Sequence, residues 1–117
     1  MQSVINRIAQ ACPCELTANR GTKLTECAVY DYYSTGWDGV KRGIMLKISI
    51  FAATMQRAAE ILDAIERAIV TVGDKALNET VLNCRQNGGG WLIDGSMHCR
   101  ISYFELTIKD VNIQEDN

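Results

Sequence analysis

Residues 43–73, GIMLKISIFAATMQRAAEILDAIERAIVTVG, run a half-buried strand almost directly into an amphipathic helix. On the strand, Ile44, Leu46, Ile48 and Ile50 share one face, and Lys47 and Ser49 lie on the other. That alternation is the signature of a sheet with one wet face. On the helix, Ala58, Ile61, Leu62, Ile65, Ile69 and Val72 form one apolar stripe, with Arg57, Glu60, Asp63, Glu66 and Arg67 largely outside it. Thr54 suits the N-cap of this helix, and Gly73 suits the position after its last turn.

Upstream, Ser3 can cap a first helix over 4–11, with Val4, Ile5, Ile8 and Cys12 on one face and Pro13 ending it. Residues 15–26 are polar, and Gly21 supports a loop there. CAVYDYY, residues 27–33, has the aromatic and β-branched content of a strand. STGWDGVKRG, residues 34–43, holds three glycines and three charges around Trp37. It reads as a long exposed hairpin connection leading into the Ile44 strand.

Downstream, residues 80–86 form a third strand with Val81 and Leu82 as its apolar content, and NGGG at 87–90 turns the chain. Residues 91–94 are a short strand or the far side of a wide hairpin, and Asp94-Gly95 marks a tight turn. The last strand, 98–109, carries Phe104, Leu106 and Ile108 on one face and Ile101 and Tyr103 on the other, which places it centrally in a sheet or at an interface. The polar tail from Asn112 is expected to fray. The predicted fold is α+β: a mainly antiparallel sheet of four to five strands, in α-β-β-α-β-β order, with two helices packed on one face.

The 117 residues, 47 % hydrophobic, favour a single domain over 1–117 with a real core. Net charge is −2 and the twelve basic residues are scattered, so no nucleic-acid footprint is expected. The longest weakly charged apolar run, 48–55, is too short to cross a bilayer, and MQSVINRIAQ lacks the apolar segment of a signal peptide. These features predict a cytosolic chain without membrane association. Five cysteines, an odd count, argue for reduced thiols packed as small hydrophobes.

Catalytic chemistry is not legible. Cys12-Pro13-Cys14 could hold a soft metal if Cys84, His98 or Cys99 completed the site, but paired CxxC spacing is missing, which also weighs against a redox couple. His98 is the only histidine, and its neighbour Cys99 would point to the opposite face of a strand. Gly88-Gly89-Gly90 is followed by a strand pattern rather than by a helix with Lys-Ser/Thr, so it is not a phosphate loop. Glu60, Asp63 and Glu66 alternate with Arg57 and Arg67, as on a solvated or intersubunit helix face. Trp37, with Tyr30, Tyr32 and Tyr33, is either sheet packing or a partner anchor. No enzyme activity and no cofactor are expected.

The order of elements carries a resemblance. A short first helix leads to a strand ending in aromatics, then a Gly- and charge-rich hairpin, the strand IMLKISIFA, the helix MQRAAEILDAIERAI, and closing strands. This pattern resembles the tail-terminator and tail-completion proteins of long-tailed bacteriophages and prophages, also described as minor capsid or head–tail joining proteins. It covers Val4 to about Lys109 and includes no diagnostic motif, so no residue role is carried over. The resemblance implies a structural virion component assembled in the bacterial cytoplasm. It implies a homomeric ring, typically a hexamer, that caps the tail tube and meets the head connector. Partners are then other copies of the chain, tail tube protein and head-connector proteins. Trp37, Asp38, Lys41 and Arg42 of the hairpin, with Met45, Phe51 and Tyr103 on the outer sheet face, are the candidate interface residues.

Overall fold

A computed structural model describes residues 1–18, 25–73 and 75–109, with Asp94 described by its backbone alone. The elements run α1 (Gln2–Ala11), β1 (Glu15–Thr17), β2 (Cys27–Trp37), β3 (Lys41–Ala52), α2 (Met55–Ile69), β4 (Val81–Asp94) and β5 (Met97–Lys109). The five strands make one sheet in the order β1-β2-β3-β5-β4. Every pairing is antiparallel except the short parallel β1–β2 contact. The predicted α+β class holds, and β5 lies inside the sheet between β3 and β4.

The core sits between one sheet face and both helices. Ile44, Leu46, Ile48, Ile50 and Ala52 of β3 point into it beside Phe104, Leu106 and Ile108 of β5. Val4, Ile5 and Ile8 of α1 and Ala58, Ile61, Leu62, Ile65 and Ile69 of α2 cover them. The alternation in 44–52 therefore did report a one-sided strand. Among the described residues Ser102 is the one buried polar residue on this face, and its hydroxyl accepts from Gln86 Nε2 at 3.2 Å.

Several boundaries differ from the sequence pattern. Ser3 lies inside α1, whose N-cap is Met1 with no side-chain cap; Ile5 N–H bonds the Met1 carbonyl at 3.0 Å. Thr54 does cap α2, its hydroxyl accepting from Arg57 N–H at 3.1 Å. That helix stops at Ile69 with Val70 extended, and Val72 is 76 % exposed instead of completing the stripe. Gly73 has φ +61°, but in the turn beyond the helix end, not as its cap. Thr71 leaves the helix axis to bond β4, its N–H reaching the Cys84 carbonyl at 3.0 Å and its hydroxyl accepting from Cys84 N–H at 3.0 Å.

The connections are shorter than expected because strands run on. Within 15–26 the strand β1 pairs with 27–29, adding one element to the predicted order; Gly21 and the tail from Asn112 lie outside the described residues. Most of 34–43 is strand, and only 38–40 turn. A bulge between Ser34 and Gly36 absorbs the register shift, Gly39 takes φ +95°, and Asp38 Oδ1 accepts from Val40 and Lys41 N–H at 2.9 and 2.7 Å. NGGG does not turn the chain: β4 runs through it, with an irregularity between Gln86 and Gly89 and Gly88 at φ +87°. The reversal comes at Gly95-Ser96, between the paired Asp94 and Met97, as the Asp-Gly signal predicts.

Candidate functional site

The two hairpin tips lie at opposite ends of the sheet. Lys41 pairs with Lys109 at one end of the β3–β5 ladder, and Ala52 pairs with His98 at the other. The 38–40 turn therefore projects from the first end and the 95–96 turn from the second, in a molecule 49 × 30 × 23 Å across.

Four of the interface candidates converge at the first tip. Trp37 and Arg42 are register partners, and the Arg42 guanidinium lies 5.3 Å from the Trp37 ring centroid. Arg42 is braced by a 3.1 Å hydrogen bond from Nη1 to Ser34 Oγ. Asp38 closes the turn; the two backbone N–H groups it accepts from hold its carboxyl below the usual range. Lys41 beside Lys109 makes the end locally basic. Trp37 is 45 % exposed, and Tyr32, Tyr33 and Val40 of the same hairpin are exposed as well. Tyr30, in contrast, packs against the core.

The other three candidates are spread along the outer sheet face. Met45 lies between Tyr33 and Glu105, and Tyr103 pairs with Lys47, which pairs with Asp31. Phe51, ten residues from Lys41, is on the order of 33 Å from the first tip along an extended strand. It lies between Cys27 and Cys99, both buried. The seven residues are thus not one patch. All three of the spread set are half-buried.

Trp91, Leu92 and Ile93, near the second tip, are all exposed and did not figure among the candidates. The available signal was an apolar triplet beside an Asp-Gly turn at the end of an edge strand. Trp91 stacks on His98, with ring centroids 5.8 Å apart, and its indole N–H donates to His98 Nδ1 at 3.2 Å. His98 and Cys99 do point to opposite faces, as a strand requires.

The potential metal ligands are dispersed. Cys12 and Cys14 bring their sulfurs to 3.5 Å. Cys84 is in the main core, where burial pushes its thiol up to about 12. Cys99 is on the outer face and His98 is against Trp91. Among the described residues no three His, Cys, Asp or Glu side chains gather as a metal set. The carboxylates of α2 are engaged as a solvated face would have them: Asp63 accepts from Arg67 at 2.8 Å and Glu60 meets Arg57 at 3.5 Å. Glu66 is raised by burial, opposed by nearby Arg100. No helix is long and apolar enough to cross a membrane, among the described residues.

No protein-family model and no curated protein sequence matches the chain. Among solved structures, the fold is similar to a chain of the virion of a native gene transfer agent particle, with a TM-score of 0.64 at 13 % identity, covering 92 % of both chains.

Proposed function

We propose that this chain is a structural virion-assembly protein of a phage or phage-like particle, acting as a tail terminator. In this reading, copies form a ring, typically a hexamer, that caps the tail tube and presents a surface to the head connector. The observation that carries it is the fold shared with a virion chain over 92 % of both lengths, which agrees with the element order on which the tail-terminator resemblance rests.

The distribution of exposed groups supports self-assembly. A ring uses heterologous contacts, so each copy must offer two different surfaces. The aromatic and basic tip around Trp37 and Arg42, and the apolar tip around Trp91, Leu92 and Ile93, are two such surfaces at opposite ends. Among the described residues no strand pairs with β2 beyond Val29 on its outer side, and none pairs with the outer side of β4. Unpaired edges of this length are ordinarily covered. Native mass measurement with negative-stain imaging tests the reading, alone and with tail tube protein. Rings that decorate one end of tubes support it, and a strict monomer under both conditions overturns it.

A further inference from the structure

The Cys12-Pro13-Cys14 segment lies where α1, the start of β2 and the first turn of α2 meet. Cys12 closes α1, its N–H bonded to the Ile8 carbonyl at 2.8 Å. Pro13 restricts the backbone between the two cysteines, and Cys14 leads directly into β1. The two sulfurs are 3.5 Å apart, and both residues are half-buried at the edge of the core. The other three cysteines are buried. Two thiols in mutual contact, with a path to solvent, are the arrangement that closes to a disulfide with a small movement of side chains.

We infer that Cys12 and Cys14 form a redox-active dithiol that exchanges with low-molecular-weight disulfides, Cys12 being the attacking sulfur and Cys14 the resolving one. The Cys12 thiolate attacks one sulfur of a disulfide such as oxidised glutathione, forming a mixed disulfide and releasing one thiolate. Cys14 then gives up its proton, and its sulfur attacks the Cys12 sulfur and expels the second thiolate. Both released thiolates are protonated as thiols. Two protein thiols are oxidised, and one small disulfide is reduced to two thiols.

The assignment of roles follows from the surroundings. When Cys12 is the thiolate, the Cys14 S–H can donate to its sulfur; that contact brings Cys12 to about 7, with the Cys14 backbone N–H and Arg57 helping and burial and Glu26 opposing. The same bond, burial and the charge of Cys12 push Cys14 upward. Once Cys12 is tied up as a mixed disulfide, that bond to a thiolate and that charge are gone, so Cys14 is eased toward release when its attack is needed. Arg57 is itself fixed by two hydrogen bonds to Glu26, at 2.9 and 3.2 Å. The closed form would link the end of α1 to the start of β1 through a three-residue ring. This inference does not depend on ring assembly.

The test is exposure of the reduced full-length chain to glutathione redox buffers, followed by acid quench, alkylation and peptide mass mapping. Wild type should lose the two alkylatable thiols at Cys12 and Cys14 together, with a mass fall of two hydrogens. Cys14→Ser, which keeps a hydrogen-bond donor but no resolving sulfur, should stop as a glutathione adduct on Cys12. At pH 7.5 the thiolate gain is partly cancelled by weaker nucleophilicity, so Cys12 in Cys14→Ser should react about threefold faster than Cys14 in Cys12→Ser. A wild-type chain that keeps both thiols, or that stops at the adduct without closing, overturns the inference. Equal rates in the two variants overturn the assignment of roles. The wild-type mapping stands even where a variant folds poorly.

Discussion

Leu46 and Phe104 are direct partners across the β3–β5 ladder, and both are completely buried beneath the helices. Truncating Phe104 removes a fully buried aromatic ring from the core. Phe104→Ala should lower the unfolding free energy by about 3–5 kcal/mol, read by urea denaturation, and Phe104→Leu should cost less. Equal and small losses for both would mean that the core closes over the missing ring.

The start of α2 offers a separable local test. Thr54→Ala removes the hydroxyl that accepts from Arg57 N–H and should cost about 1 kcal/mol, whereas Thr54→Ser should keep most of the stability. Thermal or urea unfolding of the pair measures the difference.

Gly89 and Gly90 are neighbours with opposite tolerance. A Cβ at Gly89 would collide with the Ile101 carbonyl oxygen and press on Ser102 Cα at 3.2 Å, both backbone atoms of the adjoining strand. A Cβ at Gly90 meets nothing within 4 Å. Gly89→Ala should therefore lower the melting temperature and weaken hydrogen-exchange protection along the β4–β5 ladder, and Gly90→Ala should not. Indistinguishable exchange profiles would place the close approach elsewhere.

The tips should matter for assembly more than for folding. Trp37→Ala removes an exposed aromatic paired across the hairpin with Arg42 and should cost no more than about 1 kcal/mol in unfolding. Trp91→Ala should likewise leave the fold intact. Each should shift the native-mass distribution from rings toward single copies. Unchanged ring populations with both variants would remove the tips from the interface.

The reactivity of Cys12 should depend on pH through its neighbour. Its folded value, about 7 against an ordinary 9.0, is depressed, so the reactive thiolate is present above about pH 7 and is lost as pH falls through that value. Iodoacetamide modification of Cys12 should follow that profile. Cys14→Ala, which removes the S–H donor, should move the midpoint up toward the ordinary thiol range. A profile unmoved by Cys14→Ala would assign the acidity to the residue-14 backbone N–H and Arg57, which that variant keeps.

The cysteines show where sequence reading stops. Their tendency to pack as small hydrophobes holds for Cys27, Cys84 and Cys99, which are buried in two different places: Cys84 in the main core, Cys27 and Cys99 flanking Phe51 on the outer face. Nothing in the spacing of the five reveals that the Cys12 and Cys14 sulfurs meet at 3.5 Å, whereas Cys27, Cys84 and Cys99 are brought to their positions by strand pairing across the sheet.

Sequence alone determined the inner face of β3, the buried stripe of α2 as far as Ile69, the Thr54 cap and the turn after Asp94. Each is a local matter: a repeat of two or 3.6 residues records which side chains avoid water, and caps and tight turns are satisfied by groups a few residues apart. Tertiary structure decided the addition of β1 to β2, the run of β2 and β3 through 34–43, and the passage of β4 through its glycines. It also decided that the Trp37 and Trp91 tips stand at opposite ends of the sheet. These features rest on backbone hydrogen bonds between distant segments, which polar and glycine-rich side chains neither require nor forbid.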